Sequence, residues 1–290
     1  MNNGLSTKAF SLFQKYIEEQ CGIAIGEEKA YLIESRLTKL LVETKMNSFE
    51  ELYRLLATTK DSILSERVID AITTNETLWF RDKTPWQVLE DELMARYIQI
   101  IRKDRRRIRI WSAASSSGQE AYSTIFAIDQ YLKKHFIRDV TLRDFELIGT
   151  DISATILEIA RAGRYDPISI MRGLDPKLKD QYFNNEGRVW MVRDEYKQHV
   201  KFRQFNLQHP FHSLGKFDLI FCRNVMIYFS QQLKSEMTVK LAKALLPGGV
   251  LFIGNSEIFP AYKTHFILRH YQKGVYYQVR SENHENSIRR

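Results

Sequence analysis

Several polar positions stand where short apolar runs end, which is where an open parallel sheet gathers the groups that hold a ligand. Asp151 closes the run from Phe145. An acid at the end of a second strand is placed to accept hydrogen bonds from ribose hydroxyls; the same Asp could instead cap a helix starting near Ser153. After the strand-like segment 108–111 comes Ser112-Ala113-Ala114-Ser115-Ser116-Ser117-Gly118-Gln119-Glu120, with one glycine and no GxGxxG spacing. A pyrophosphate needs several bare backbone N–H groups at close approach, so a dinucleotide fits poorly, whereas small Ala and Ser side chains admit an adenosyl ligand. S-adenosylmethionine (SAM) is therefore favoured over a redox cofactor. Glu120, in the first turn of the next helix, can receive the ligand's ammonium or simply complement the helix dipole. Asn206-Leu207 follows the strand-like segment Phe202 to Phe205 and Arg223-Asn224 follows Phe217 to Cys222; polar residues at such strand ends suit an adenine-binding rim, although any strand-to-loop exit is polar. His209 and His212 lie three apart in a Pro-containing loop without a matching acidic pair, so they read as surface histidines and no metal site is expected.

To hold those positions at one mouth the chain needs an α/β, Rossmann-like sheet. Residues 108–111 read as strand one and 145–151 as strand two, with a helix between them carrying Tyr122, Ile125, Phe126 and Ile128. Residues 202–205, 217–222 and 250–253 supply further strands, the last after the turn Pro247-Gly248-Gly249. Residues 266–271 and 275–279, around Gln272-Lys273-Gly274, form a hairpin that makes the final strand antiparallel. The first 80 residues show only helical spacing: Phe10, Phe13 and Ile17 form one stripe, Ile33, Leu37, Leu40 and Leu41 another, Leu64, Val68 and Ile72 a third. Ser48 and Glu51 match a capping box opening a short helix that buries Phe49, Leu52 and Leu56. The expected division is a helical domain (1–80), a linker helix (81–104), a sheet domain (105–280) and a tail (281–290).

The 290 residues, 44% of them apolar, suffice for two such cores. No apolar run approaches the roughly 18 residues of a membrane span, and Met1-Asn2-Asn3-Gly4-Leu5 lacks the features of a secretory leader, so a cytoplasmic protein without membrane insertion is expected. Cys21 and Cys222 make no CxxC and read as free buried thiols. The formal charge of +8 is uneven, −2 through Arg81 and +10 beyond it, and favours acidic partners. The densest basic run, Arg102 to Arg109, can equally be a solvated helix end. Arg36 and Lys39 share a helix face that either meets an acidic partner or is merely solvated.

Five ordered stretches give the chain a family resemblance: Thr73-Thr74-Asn75-Glu76-Thr77 with Trp79-Phe80-Arg81; Trp111 to Ala114 with Gly118 to Ser123; Gly149-Thr150-Asp151-Ile152-Ser153; Phe217-Asp218 with Cys222-Arg223-Asn224-Val225 and Tyr228-Phe229; and Gly254-Asn255-Ser256-Glu257. Over nearly its whole length, from Tyr31 to about Tyr277, it resembles the CheR-type chemotaxis receptor methyltransferases. These use SAM to methylate glutamate side chains on the cytoplasmic helices of chemoreceptors. The resemblance implies a Rossmann-like SAM-dependent methyltransferase sheet with an N-terminal all-α domain and a small inserted β-subdomain at 165–199. It implies that Asn75, Thr77, Arg81, Glu120, Asp151, Asn206, Leu207, Arg223 and Asn224 line the SAM pocket, with Arg81 and Tyr228 near the transferring methyl, and that S-adenosyl-L-homocysteine (SAH) is the product. Gln119 and Ala121 depart from the Glu and Pro that relatives often carry. The implied partners are the cytoplasmic helices of transmembrane chemoreceptors, met by a monomer. Some relatives bind a receptor C-terminal pentapeptide on the β-subdomain; here the turn at Asn184-Asn185-Glu186-Gly187 is short, and that tether is expected to be weak or absent.

Two other functions compete. A nucleic-acid methyltransferase agrees with the basic charge, but neither an Asn/Asp-Pro-Pro-Tyr/Phe motif nor a Pro-Cys nucleophile is present, so no nucleic acid is expected. A SAM-binding signalling scaffold would have lost residues at the mouth, and none is missing. Methyl transfer to a carboxylate, which is ionised at neutral pH, requires no general base. It asks for orientation, exclusion of water and a cationic donor, a role for which the planar fork of Arg81 is suited.

Overall fold

Ser6 caps the first helix, its Oγ accepting from Ala9 N at 3.1 Å, and Gly22 ends it at φ 75°. In the computed structural model, which describes residues 4–59 and 62–280, this helix α1 (Thr7–Cys21) is followed by α2 (Ala30–Glu43), α3 (Phe49–Thr59) and α4 (Ser62–Ile72). The apolar stripes turn inward together, so that Phe13, Ile17, Ile33, Leu37, Phe49, Leu52 and Val68 form one core. The start of α3 differs slightly from a reciprocal capping box: Ser48 Oγ accepts from Glu51 N, but Glu51 Oε2 accepts from Asn47 N rather than Ser48 N. The tail at 281–290 and the first three residues lie outside the described residues.

The stretch expected to be a linker helix is not a spacer. It runs as α5 (Thr84–Val88), a π-helical turn (Leu89–Leu93) and α6 (Met94–Asp104). Its Trp86, Val88, Leu93, Tyr97 and Ile101 belong to the same core as the sheet, because an amphipathic helix with that much apolar surface must cover something.

The sheet domain follows in chain order as β1 (Ile108–Ala113), α7 (Gln119–Lys134), β2 (Phe145–Asp151) and α8 (Ala154–Ala162). An insert then carries β3 (Arg164–Tyr165), α9 (Pro167–Met171), α10 (Pro176–Tyr182), β4 (Phe183–Glu186), β5 (Val189–Val192) and α11 (Asp194–Lys197). The chain returns through β6 (Val200–Gln204), β7 (Phe217–Cys222), α12 (Gln231–Ala244), β8 (Leu245–Ile253), α13 (Tyr262–His265), β9 (Phe266–Tyr271) and β10 (Gly274–Val279). The strand order is β6-β2-β1-β7-β8-β10-β9, parallel from β6 to β8, with β10 antiparallel to both neighbours. The order reverses between β1 and β7, so a crevice opens beyond the carboxyl ends of β1, β2 and β7. One face of the sheet is filled around Trp111 and Phe217, the other around Tyr122 and Phe126.

The insert is a three-stranded antiparallel sheet in the order β3-β5-β4. Asn184 to Glu186 lie within β4, not in a turn; the hairpin turns at Gly187, φ 73°. The insert is pinned to the segment before α5: Arg172 O accepts from Trp79 N at 3.0 Å and Ser169 O from the Trp79 indole at 3.0 Å.

Candidate active site

The loop leaving β1 bends sharply through two non-glycine residues of positive φ, Ala114 (53°) and Ser116 (51°). That bend aims the Ser116 N–H at Asp151 Oδ2, 2.8 Å away, while Asp151 Oδ1 accepts from Ser153 N at 3.1 Å. An ionised carboxylate offers about four acceptor sites, so Asp151 keeps two for a ligand. Burial raises its carboxyl above the ordinary range, and the backbone N–H groups of Ser153 and Ser116 offset this only in part.

Glu120 lies in the first turn of α7 with its side chain 14% exposed. Its Oε1 accepts from Ser112 Oγ at 2.8 Å and its Oε2 from Arg223 Nη1 at 3.0 Å. Desolvation still wins over this pairing and raises its carboxyl. Arg223, immediately after β7 and 2% exposed, also donates from Nη2 to Arg81 O at 2.7 Å and to Asp82 Oδ2 at 2.5 Å. A chain of charge-assisted bonds thus ties β1, α7 and β7 to the segment that carries Arg81. The sequence alone gave no sign of Asp82 as the outer partner.

Arg81 and Tyr228 face the same cavity, together with all of Asn75, Thr77, Glu120, Asp151, Asn206, Leu207, Arg223 and Asn224. Asn206 sits there with its polar atoms engaged, since its amide donates to Gln20 O at 2.7 Å and its Oδ1 accepts from Gln208 N at 2.9 Å. Its side chain therefore joins the sheet domain to α1, which leaves its backbone and Leu207 as the rim. The helical domain itself contributes Cys21 and Ile23 to the cavity wall, a contribution absent from the sequence reading. Ala24 N donates to Tyr228 O at 2.8 Å, and Ile23 bridges Phe229 in antiparallel fashion. Burial pushes the Cys21 thiol up to about 11 and holds Cys222 well above the ordinary thiol range, which disfavours the thiolate of both.

Arg36 is not a free docking charge. Its guanidinium donates to Thr74 Oγ1 at 2.9 Å, to Thr73 O at 3.3 Å and to Ile72 O, and so braces the mouth from behind. Lys39, by contrast, is 86% exposed and pairs loosely with Glu43 at 3.7 Å.

The cavity fits an adenosyl ligand carrying a charged amino-acid end. Asn224, which lines it, has a buried Oδ1 without a hydrogen-bond partner among the described residues, and Asp151 and Glu120 have acceptor capacity left. A parallel sheet with one antiparallel hairpin, an acid ending the second strand and a small-residue loop after the first define a SAM-dependent methyltransferase. Residues 8–73 match the family description "CheR methyltransferase, all-alpha domain", and residues 75–275 match "CheR methyltransferase, SAM binding domain". The chain belongs to the CheR methyltransferase family. It is 39% identical to the chemotaxis protein methyltransferase Cher2 of Pseudomonas putida, over 93% of this chain and 98% of that one. Chemotaxis protein methyltransferase 1 of Pseudomonas aeruginosa is 40% identical over 93% of this chain and 97% of its own length. The corresponding protein of Vibrio cholerae is 40% identical over 95% and 98%.

Proposed function

We propose that the protein transfers the methyl group of SAM to glutamate side-chain carboxylates on the cytoplasmic helices of chemoreceptors, forming methyl esters in chemotactic adaptation. The observation that carries this reading is a cavity with Arg81 at its wall; among the described residues its lining has neither histidine nor lysine, and its buried carboxyls Asp151 and Glu120 are each engaged in two hydrogen bonds. An amine acceptor must shed a proton during transfer and calls for a base; a glutamate carboxylate, already ionised, does not. Arg81 makes no side-chain hydrogen bond among the described residues, so its planar fork is available to a carboxylate.

SAM, when bound, supplies a methyl carbon made electrophilic by its sulfonium. Asp151 holds the ribose hydroxyls, Glu120 the ammonium, and Asn206-Leu207 with Ile23 the adenine. Arg81 orients the acceptor carboxylate, and Tyr228 closes the side of the cavity next to it and keeps water from the nucleophile. The carboxylate oxygen forms the new bond to carbon as the carbon–sulfur bond breaks, its electron pair leaving with sulfur to give SAH and the ester. The insert lacks the longer glycine-rich turn that pentapeptide-binding relatives carry, and receptors with and without a C-terminal tether are methylated alike.

The test is incubation with methyl-labelled SAM and a chemoreceptor cytoplasmic fragment, followed by alkali. Carboxyl methyl esters release labelled methanol. Alkali-resistant label, or label found only on RNA, overturns the proposal.

A further inference from the structure

We infer that Glu257, which lies outside the cavity, is a positioning residue for methyl transfer: it anchors the loop 224–228 so that Asn224 points inward and Tyr228 reaches the mouth. Glu257 follows β8 in the run Gly254-Asn255-Ser256-Glu257 and is not among the residues lining the cavity. Its carboxylate accepts four backbone N–H groups. Asn224 N, at 2.8 Å, and Gly254 N meet Oε2, while Val225 N at 3.0 Å and Ile227 N at 3.3 Å meet Oε1. Four donors fill the acceptor capacity of a carboxylate, so nothing is left over for a ligand.

The backbone at this point is an anion-binding nest, a left-handed residue followed by a right-handed one with successive N–H groups converging. Asn224 has φ 60°, and Val225 follows at φ −119°, ψ −38°. The anion in the nest belongs to the chain itself. Asn224 thus lines the cavity in a left-handed conformation unfavourable for a residue with a side chain, and its Oδ1 is buried without a partner among the described residues. From the same loop Tyr228 N donates to Val225 O at 3.2 Å, and at the far end Tyr228 O takes the Ala24 N–H from the helical domain. Gly254 permits the close approach: a Cβ there would lie 2.8 Å from both Asn224 Nδ2 and Glu257 Oε2.

The inference rests on the reading that Asn224 and Tyr228 meet cofactor and acceptor, and its principal test uses SAH alone, so the identity of the acceptor does not enter. Glu257→Gln keeps one carbonyl oxygen and turns an NH2 group on the remaining donors. In calorimetric titration we expect SAH affinity to fall at least tenfold, with kcat on the labelled-methyl assay falling as well. Because Glu257 acts through Asn224, adding Glu257→Gln to Asn224→Ala should weaken SAH binding by less than a further twofold. Should Glu257→Gln fail to fold, Gly254→Ala disturbs the same contact and is expected to weaken SAH in the same direction. Wild-type SAH affinity in a folded Glu257→Gln or Gly254→Ala variant, or additive losses in the double variant, overturns the inference. A residue that only stabilises the fold would lower the melting temperature and leave the affinity of the folded protein unchanged.

Discussion

Burial holds the carboxyls of Asp151 and Glu120 above the ordinary carboxylate range even though each already accepts two hydrogen bonds. The folded protein therefore binds protons that the unfolded chain has released, and this contribution to stability diminishes as pH rises from the ordinary carboxylate range through the raised folded values. Ligand binding has the opposite sense. An ammonium beside Glu120 favours its ionised form, so SAH affinity should weaken as pH falls, and at a higher pH than a solvated carboxylate would set. Glu120→Gln should give weaker binding with a flatter pH profile; calorimetry across the mildly acidic range checks this, and an unchanged profile removes Glu120 from ammonium binding. Asp151→Ala removes acceptors for the ribose worth about 1.5 to 3 kcal/mol, or about ten- to a hundredfold in SAH affinity. An affinity within twofold of wild type would refute the role. Asp151 and Glu120 were legible in the sequence because each sits at a strand exit or a first helical turn, positions that periodicity locates. Glu257 was visible only as part of a motif. Nothing local announces that a carboxylate will meet backbone N–H groups some thirty residues earlier in the chain.

Among the elements, those with a strong period read well. The helical stripes and most central strands were placed within a few residues, since burial on one or both faces imposes the pattern; the exception is β8, which starts at Leu245, so that Pro247-Gly248-Gly249, expected as a turn before the strand, lie inside it as a register break opposite Phe217 to Leu219. The insert read poorly: Asn184 to Glu186 look like turn residues, yet pairing with Val189 to Met191 holds them in a strand. The chain after Arg81 read as a linker because sequence shows that a helix is amphipathic without showing what it covers. Gly173 joins insert and site at φ 96°, and a Cβ there would fall 2.2 Å from the Trp79 carbonyl oxygen. Backbone cannot yield as a side-chain tip can. Gly173→Ala should therefore cost about 1 to 3 kcal/mol, read as a lower denaturation midpoint, and shift the segment carrying Arg81. A variant as stable as the parent, with wild-type turnover, would show that this junction does not tension the site.

At the scale of the whole molecule we propose two separable roles for the helical domain, docking a partner and bracing the cavity. Lys39 is solvent-facing, and Arg36 holds Thr73 and Thr74 at the cavity rim. Lys39→Glu should raise KM for a receptor fragment and leave SAH affinity unchanged, and its effect should shrink with added salt as screening shortens to about 10 Å at 0.1 M. Arg36→Ala should weaken SAH itself. The reverse pattern, measured by titration and initial rates, would exchange the two assignments. Cys21 and Ile23 carry one further consequence. The domain proposed to dock a partner also forms part of the cavity wall, and Ala24 and Asn206 join the two domains across it. On that proposal, partner choice and cofactor affinity are set within one small domain. A chimaera that borrows a relative's helical domain to redirect specificity should then carry a different stretch of cavity wall with it, so its SAH affinity is expected to move together with its partner.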